Sequence, residues 1–252
     1  SAICWRSLMV RKSVAASVVA IAVGLGVVSH AQPVAVENRV AARLDAGQPA
    51  IGTFTQGAPN LDFVVIDAQY GDFDLDAIEG RLQALKADRS ASSALPVVRI
   101  PLSAVEAPEA VVGALIELGV PGIMFPDIET PAQAVRAIAS LRDASEAGVW
   151  PEAPSGQLLA MVQIESTVGI DQLDAVLDVP GIGVIFLGPT DLAGAIGADG
   201  PDAPEVEVLV QQALAVCVRR EVACGYPIVA RSAADAEQQR ERDHEPDRRH
   251  RA

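Results

Sequence analysis

Two apolar segments of this chain each end at a carboxylate, and their residue types suggest a metal site. The first is Met161-Val-Gln-Ile-Glu165, and the second is Phe186-Leu-Gly-Pro-Thr-Asp191-Leu192. Continuous Val, Ile and Leu residues are typical of buried parallel strands, and two neighbouring strands of this kind would hold Glu165 and Asp191 at one edge of a sheet. Two carboxylates there suit a divalent cation, which prefers oxygen ligands and keeps positions open for a substrate. The alternative is that each acid only caps the helix after its strand.

Strand-like segments alternate with amphipathic helical segments, and this order predicts a parallel α/β fold. Helical spacing is clear, for example, at Leu75, Ile78, Leu82 and Leu85. Repeated βα units favour a TIM-type (β/α)8 barrel over an open sheet. The predicted strands span residues 50–54, 62–67, 95–100, 122–125, 158–165, 183–187 and 223–230.

The barrel is expected to be incomplete or to be closed by a partner subunit. Too few residues separate the first two strands to form a crossover helix, and no eighth strand is evident after residue 230. In such a barrel the carboxyl ends of the strands form the active rim. A structural role explains any one polar residue at this rim, but several strands deliver polar side chains to it: Asp67, Gln69, Tyr70, Arg99, Gln163, Glu165 and Asp191.

Histidine, lysine and overall charge exclude several classes of function. The three histidines are His30, His244 and His250, so the region between about residues 40 and 230 has none for a Ser-His-Asp triad or a histidine-rich zinc site. Its one lysine, Lys86, lies in a polar segment and is a poor candidate for a Schiff base. The net charge of −14 argues against a nucleic-acid partner, which requires clustered Lys and Arg, but does not exclude a small anion.

The two ends of the chain differ in composition from the predicted barrel domain, residues 39–230. Residues 1–31 comprise upstream residues and a predicted secretory signal, with a basic start, an apolar run and small residues before a cleavage site after Ala31. Removal is favoured over membrane anchoring, so a periplasmic or secreted protein without stable membrane insertion is expected. Residues 231–252 form a charged tail with a composition typical of disorder. Cys217 and Cys224 could form a disulfide or be small buried residues.

Several motifs in the predicted barrel resemble the HpcH/HpaI aldolase/citrate lyase family, the metal-dependent class II pyruvate aldolases. The resemblance runs from about Arg39 to Ala230, and its most specific part is Q-I-E followed by G-P-x-D-L. The matching stretches are Gly52-Thr-Phe54, Asp62-Phe-Val-Val-Ile-Asp67 with Gly71-Asp-Phe-Asp74, Val97-Val-Arg-Ile-Pro101, Gly122-Ile-Met-Phe-Pro126, Met161-Val-Gln-Ile-Glu165 and Gly188-Pro-Thr-Asp-Leu192.

The resemblance implies a role for each candidate site residue. Glu165 and Asp191 would bind Mg²⁺, Mn²⁺ or Co²⁺, which would stabilise an enolate of pyruvate as a Lewis acid. Arg99 would bind the keto or enolate oxygen, or alternatively form only a salt bridge at the rim. The remaining expected residues are Asp67 and Tyr70 in catalysis, Gln163 and the backbone around Thr190 at the substrate carboxylate, and Phe54 as an apolar wall or a core residue.

The chain departs from the family pattern where proton transfer is expected. The family carries D-x-E-H-G or a close relative, whereas this chain has Asp67-Ala-Gln-Tyr-Gly71, so Tyr70 takes the place of histidine. A tyrosine has a reference pKa of about 10 and is a poor base near neutral pH. The leading hypothesis is a homo-oligomeric aldolase that cleaves a 4-hydroxy-2-oxoacid to pyruvate and an aldehyde through a metal-bound enolate. The alternatives are a non-catalytic exported protein that binds metal and oxoacid, and a chain that does not fold alone.

Overall fold

A computed structural model describes residues 2–6, 38–54, 61–71, 73–88 and 94–228 of the 252-residue chain. These residues form nine strands: β1 (Ala2–Arg6), β2 (Ile51–Thr53), β3 (Phe63–Asp67), β4 (Leu95–Arg99), β5 (Gly122–Phe125), β6 (Val149–Trp150), β7 (Leu158–Ile164), β8 (Ile182–Leu187) and β9 (Ala223–Ile228). The helices of the same ranges are α1 (Arg39–Asp45), α2 (Leu75–Ala87), α3 (Glu109–Glu117), α4 (Pro131–Ala144), α5 (Thr167–Val176), α6 (Pro189–Ile196) and α7 (Pro204–Arg220), with a 3₁₀ turn at Leu102–Ala104.

The strands form one curled sheet whose long strands are parallel, as the sequence predicts. The order of hydrogen-bonded neighbours is β5-β4-β3-β2-β1-β9-β8-β7-β6, and β5 also pairs with β7. All pairs are parallel except those of β1, which lies antiparallel to both β2 and β9. In the described part of the chain no helix lies between β2 and β3, and besides the seven predicted strands only the two-residue β6 is parallel to its neighbour. The prediction of an incomplete TIM-type barrel is therefore confirmed, with β1 in the place where a parallel strand would complete it.

The two faces of the sheet pack into separate apolar clusters, because side chains alternate between the faces of a strand. On β7, Leu159 and Met161 join an inner cluster, whereas Ala160 and Val162 join the outer cluster beneath the helices. The inner cluster also contains Phe63, Val65, Leu95, Val97, Trp150, Val184 and Phe186. Residues that lie on the same face of their strand as the inner cluster therefore point to the inside of the curled sheet. The polar residues at the strand ends are among them.

Helix α1, which sequence analysis did not predict, contributes to the inner cluster. Its buried residues Val40 and Leu44 pack there, and Asp45 accepts a hydrogen bond from the Trp150 indole N–H at 3.2 Å. Arg43 forms a salt bridge to the buried Asp62 at 3.0 Å, and the other oxygen of Asp62 accepts from the N–H of Ile51 at 3.0 Å. These contacts anchor α1 to the start of β2 and β3, away from the carboxyl ends of the strands.

Two predicted segments lie outside the described residues. These are the apolar signal segment at residues 9–31 and the charged tail at residues 231–252, whose assignments stay predictions. Within the ranges that are described, no helix combines the length and apolar character needed to cross a membrane.

Candidate active site

The strand ends bring four of the predicted polar residues to the inner side of one rim. Asp67 ends β3, Arg99 ends β4, and Gln163 and Glu165 lie at the end of β7. Each lies an even number of positions from an inward-facing apolar residue of its strand, so the alternation of side chains directs all four inward. Gln163 and Glu165 are only 2 % and 5 % exposed, which makes them buried polar groups that need partners.

A continuous chain of hydrogen bonds connects these four side chains. Arg99 donates to both oxygens of Asp67, from Nε to Oδ1 at 2.8 Å and from Nη2 to Oδ2 at 2.5 Å. The Nη1 of Arg99 donates to Oε1 of Gln163 at 3.3 Å, and Nε2 of Gln163 donates to Oε2 of Glu165. A bidentate arginine–carboxylate pair fixes the plane of the guanidinium group. Three of its five N–H donors are used in this chain, which leaves two for another ligand.

Phe54 forms an aromatic wall beside this network. The guanidinium carbon of Arg99 lies 4.9 Å from the centre of the Phe54 ring, a cation–π distance. Phe186 contacts Phe54 edge to face, with ring centres 6.2 Å apart. Phe186 belongs to the inner cluster, so the wall continues from the core to the rim. Sequence analysis identified Phe54 but not the support that Phe186 gives it.

Glu165 is the most perturbed carboxyl group of the site. Its burial, followed by the charge and hydrogen bonding of Asp191, raises the pKa of Glu165 to about 8. Asp191 itself lies in the first turn of α6 and is exposed. The predicted pair of carboxylates is thus brought together, with Glu165 buried and Asp191 toward solvent.

Gly188 makes the approach of α6 to Glu165 possible. A Cβ atom at this position would lie 2.6 Å from Oε2 and 2.7 Å from Cβ of Glu165, closer than real Cβ atoms come to other atoms. Gly188 also hydrogen-bonds through its N–H to the carbonyl of Ile164 at 3.1 Å, and Pro189 then starts the helix. The Gly188-Pro189 sequence therefore sets where Asp191 stands relative to Glu165.

Asp127 is a site residue that sequence analysis missed. It follows β5 with φ of 49°, a left-handed conformation that is uncommon for residues other than glycine. Its backbone N–H donates to Oε1 of Glu165 at 3.1 Å, so the unusual backbone serves a site contact. Burial raises the pKa of Asp127, and the charges of Glu129 and Asp191 raise it further. An acid two residues after a strand was the available signal, since an acid at a strand end identified Glu165.

Tyr70 lies on the loop after β3 and is 68 % exposed. Desolvation raises the pKa of its phenol, and the charges of Asp191 and Glu165 raise it further. Tyr70 therefore faces the carboxylate pair but takes no part in the hydrogen-bonded chain among the described residues. Thr190 is likewise exposed beside Asp191, and the structure shows no hydrogen bond from it to the described site residues.

Asp67 is held in its ionised form by its neighbours. Partial burial acts to raise the pKa of Asp67, but hydrogen bonds from Arg99 and from the Gln69 N–H, with the charge of Arg99, lower it below its ordinary value. The Gln69 side chain is 4 % exposed, and its Oε1 has no hydrogen-bond partner among the described residues. Asp67 is therefore placed to position Arg99.

The donor set fits a hard divalent cation. Glu165 is buried beside the exposed Asp191, and its burial together with repulsion from Asp191 keeps Glu165 protonated unless a positive charge offsets these effects. No group of three or more His, Cys, Asp or Glu side chains suited to a metal occurs in the described part of the chain. The protein would thus supply two oxygen ligands, and water or substrate would fill the other positions.

Comparison with known proteins agrees with the motifs and with the fold. A family model described as HpcH/HpaI aldolase/citrate lyase matches residues 54–245. The 5-keto-4-deoxy-D-glucarate aldolase of Citrobacter koseri is 33% identical over 203 residues, covering 74% of this chain and 75% of that protein. The protein of the same name from Salmonella paratyphi C is 30% identical over 226 residues, covering 79% and 84%.

Solved structures show the same relationship. An HpcH/HpaI aldolase/citrate lyase family protein from Burkholderia cenocepacia matches with a TM-score of 0.59 and 28% identity, covering 73% of this chain and 76% of that one. The HpcH/HpaI aldolase from Desulfitobacterium hafniense shares the fold with a TM-score of 0.56 and 21% identity, covering 73% and 74%.

Proposed function

Because the chain belongs to the HpcH/HpaI aldolase/citrate lyase family, we propose that it cleaves a 4-hydroxy-2-oxoacid to pyruvate and an aldehyde. The family and the named relatives indicate an aldolase or lyase acting on small molecules. The observation that carries the finer proposal is the hydrogen-bonded series from Asp67 through Arg99 and Gln163 to Glu165, next to Asp191. It combines a cationic donor group and a carboxylate pair at one rim, which suits metal-assisted chemistry of a 2-oxoacid.

We propose that Glu165 and Asp191 hold Mg²⁺, Mn²⁺ or Co²⁺. When bound, such a cation supplies Lewis-acid polarisation of a substrate keto oxygen. The chain's own contribution is to keep both carboxylates in place: Gln163 donates to one oxygen of Glu165, and the Asp127 N–H donates to the other. Neither oxygen of Glu165 is left to reorient freely, which pre-organises the site.

Arg99 is proposed to stabilise negative charge that develops on the former keto oxygen. Asp67 and Phe54 fix its guanidinium group, and two N–H donors remain for the substrate. A donor that is already oriented costs no reorganisation when charge develops, and this favours catalysis. Asp67 acts through Arg99 and is therefore a positioning residue.

The substrate carboxylate is proposed to bind near the start of α6. The first backbone N–H groups of a helix have no partner within the helix, and they attract anions. In this chain they are those around Thr190 and Asp191, and Gln163 retains one amide N–H for the same purpose. Phe54 forms the apolar side of this space.

Tyr70 is proposed to act as a hydrogen-bond donor. Its raised pKa keeps the phenol protonated at neutral pH, so it is poorly suited to remove a proton. Replacing Tyr70 with His should raise kcat near pH 7.5 by about 10-fold or more, because a residue that titrates near the working pH transfers protons better. A Tyr70→Phe variant is the control, since it removes the hydroxyl without adding a base. Equal kcat in Tyr70→His and Tyr70→Phe would refute the expectation that a base at position 70 speeds proton transfer.

The test of the whole proposal is pyruvate release from purified protein with Mn²⁺. The names of the relatives make 5-keto-4-deoxy-D-glucarate the first substrate to assay, followed by shorter 4-hydroxy-2-oxoacids. Glu165→Gln should abolish release. Asp174→Asn is the matched control, because it removes an exposed carboxylate that pairs with Arg219 away from the site. Absence of pyruvate from all substrates, or equal activity in Glu165→Gln, would refute the proposal.

No comparison supports the alternative of a non-catalytic binding protein, since the relatives named above are aldolases. We further propose that the chain is exported and that it assembles as a homo-oligomer. Cleavage after Ala31 would remove β1 and free the edges of β2 and β9 that it pairs with. Expression of the chain with residues 9–31 included, followed by fractionation and N-terminal sequencing, should give periplasmic or secreted protein beginning at Gln32. Light scattering of that protein then tests the oligomer.

A further inference from the structure

We propose that Cys217 and Cys224 form a disulfide that links the end of α7 to β9. Both residues are buried, at 1 % and 2 % exposure, and their sulfur atoms lie 2.6 Å apart. Non-bonded carbon atoms in contact lie about 3.5–4.0 Å apart, and sulfur is a larger atom. The two thiols are therefore closer than ordinary packing allows, and a covalent bond would require only a small further approach.

The backbone, rather than flexible side chains, brings the two cysteines together. Helix α7 ends at Arg220, and Glu221 adopts a left-handed conformation with φ of 54°. The N–H of Val222 returns to the carbonyl of Cys217 at 3.0 Å, and β9 starts at the next residue. This tight reversal sets Cys224 beside the last turns of α7 in a fixed relation.

Other uses of a thiol pair fit the surroundings less well. Structural zinc takes four ligands, and the described residues contain no group of three or more His, Cys, Asp or Glu side chains that could supply them. A reactive cysteine needs thiolate character, whereas burial raises the pKa of Cys224 well above its ordinary value. Both side chains lie in the apolar cluster beneath the helices, where a disulfide is stable.

The bond forms by exchange with a disulfide oxidant, either a small-molecule disulfide or a protein disulfide. The two cysteines lose two protons and two electrons as their sulfur atoms join, and the oxidant is reduced to two thiols. Burial restricts this exchange to the period before α7 and β9 close over the pair. After folding, the same burial shields the bond from reductants.

The disulfide would strengthen the part of the sheet that leads to the site. Cys224 pairs with Ile185 of β8, and β8 continues into Gly188 and the helix that carries Asp191. The link thus fastens the strand that supports β8 from one side. It does not depend on the proposed reaction, because neither cysteine contacts the hydrogen-bonded series at the rim.

Peptide mapping of the full chain provides the first test. The protein is unfolded and refolded in a glutathione buffer rich in oxidised glutathione, alkylated in denaturant without reductant, and digested with trypsin. Trypsin cuts after Arg219 and Arg220, between the two cysteines. We expect a pair of linked peptides that separates on reduction. Full alkylation of both Cys217 and Cys224 in the oxidised sample would overturn the proposal.

Thermal unfolding provides the second test and measures the effect of the bond. Reduction of the linked protein in denaturant, followed by refolding with reductant, should lower Tm by about 5–10 °C, since the bond closes a short loop in a domain of this size. Cys4→Ser should keep this shift, because it leaves the pair intact, and Cys217→Ala/Cys224→Ala should lose it. A linked protein whose Tm does not change on reduction would overturn the stabilising role. The mapping experiment uses the unmodified chain and stands even if the double variant fails to fold.

Discussion

Binding of a divalent cation at Glu165 and Asp191 should depend strongly on pH. Burial and the neighbouring charge of Asp191 raise the pKa of Glu165 to about 8, so at neutral pH this group is mainly protonated. A metal ligand must be deprotonated, and the cation therefore displaces the proton that Glu165 holds. Affinity should increase as the pH approaches the pKa of Glu165 and then become constant.

The size of this effect follows from the fraction of Glu165 that is ionised. For a pKa of about 8, that fraction is roughly 1 % at pH 6, roughly 9 % at pH 7 and about half at pH 8. The Kd for Mn²⁺ should therefore fall about 50-fold between pH 6 and pH 8, with about 0.9 proton released per ion at pH 7.

Isothermal titration calorimetry with Mn²⁺ can measure both quantities. Titrations at each pH in two buffers of different protonation enthalpy give Kd and the number of protons released. Asp174→Asn should show the same pH dependence, because Asp174 is an exposed residue outside the site. In the metal-free protein, Asp191→Asn should lower the pKa of Glu165 in a ¹³C NMR titration, since it removes the charge next to it. A Kd that changes less than about threefold from pH 6 to 8, without proton release, would refute this reasoning.

Three further predictions concern the geometry and charges of the same site. Gly188→Ala should displace Glu165, which would lower the free energy of unfolding by about 1–3 kcal/mol and weaken the binding of Mn²⁺. Gly194→Ala is the control and should be tolerated, because its new Cβ atom meets nothing within 4 Å. Chemical denaturation and calorimetry of both variants test these expectations. Arg99→Lys should lower kcat/KM about 100-fold, because lysine keeps the charge but cannot form the bidentate contact to Asp67. An unchanged kcat/KM would contradict the proposal that Arg99 stabilises charge on the substrate oxygen. Without metal, the folded protein keeps a proton on Glu165 at pH values between about 4.5, the pKa in the unfolded chain, and about 8, the pKa in the folded protein. The free energy of unfolding should therefore fall by up to about 1.4 kcal/mol per pH unit as the pH rises through this range. Denaturation curves measured across the range should lose this slope in Glu165→Gln.

The strand ends and their inward-facing residues could be predicted from the sequence because two local signals agree. Continuous apolar runs mark the buried strands, and β5 was predicted with the bounds that the structure shows. Alternation along each strand then decides which side chains face inward, and this holds for Arg99 and Gln163. The carboxylate pair and the arginine were accessible from sequence for this reason.

Features that depend on the backbone at a few residues could not be predicted. The seven-residue helix α1 has too few turns to show a clear apolar period. The left-handed backbone of Asp127 and the close approach at Gly188 depend on contacts with Glu165, which lies far away in sequence. The place of β1 between β2 and β9 depends on pairing between distant segments, for which a five-residue strand gives little sequence signal.

The two parts of the site are coupled to the fold to different extents, and this explains how the chain can depart from the family motif at Tyr70. Gln163 and Glu165 are buried and hydrogen-bonded, so replacing either leaves an unsatisfied polar group inside the sheet. Tyr70 stands on an exposed loop, where a substitution costs little stability. The residue at position 70 can therefore change chemically while the fold continues to hold the carboxylate pair and Arg99 in place.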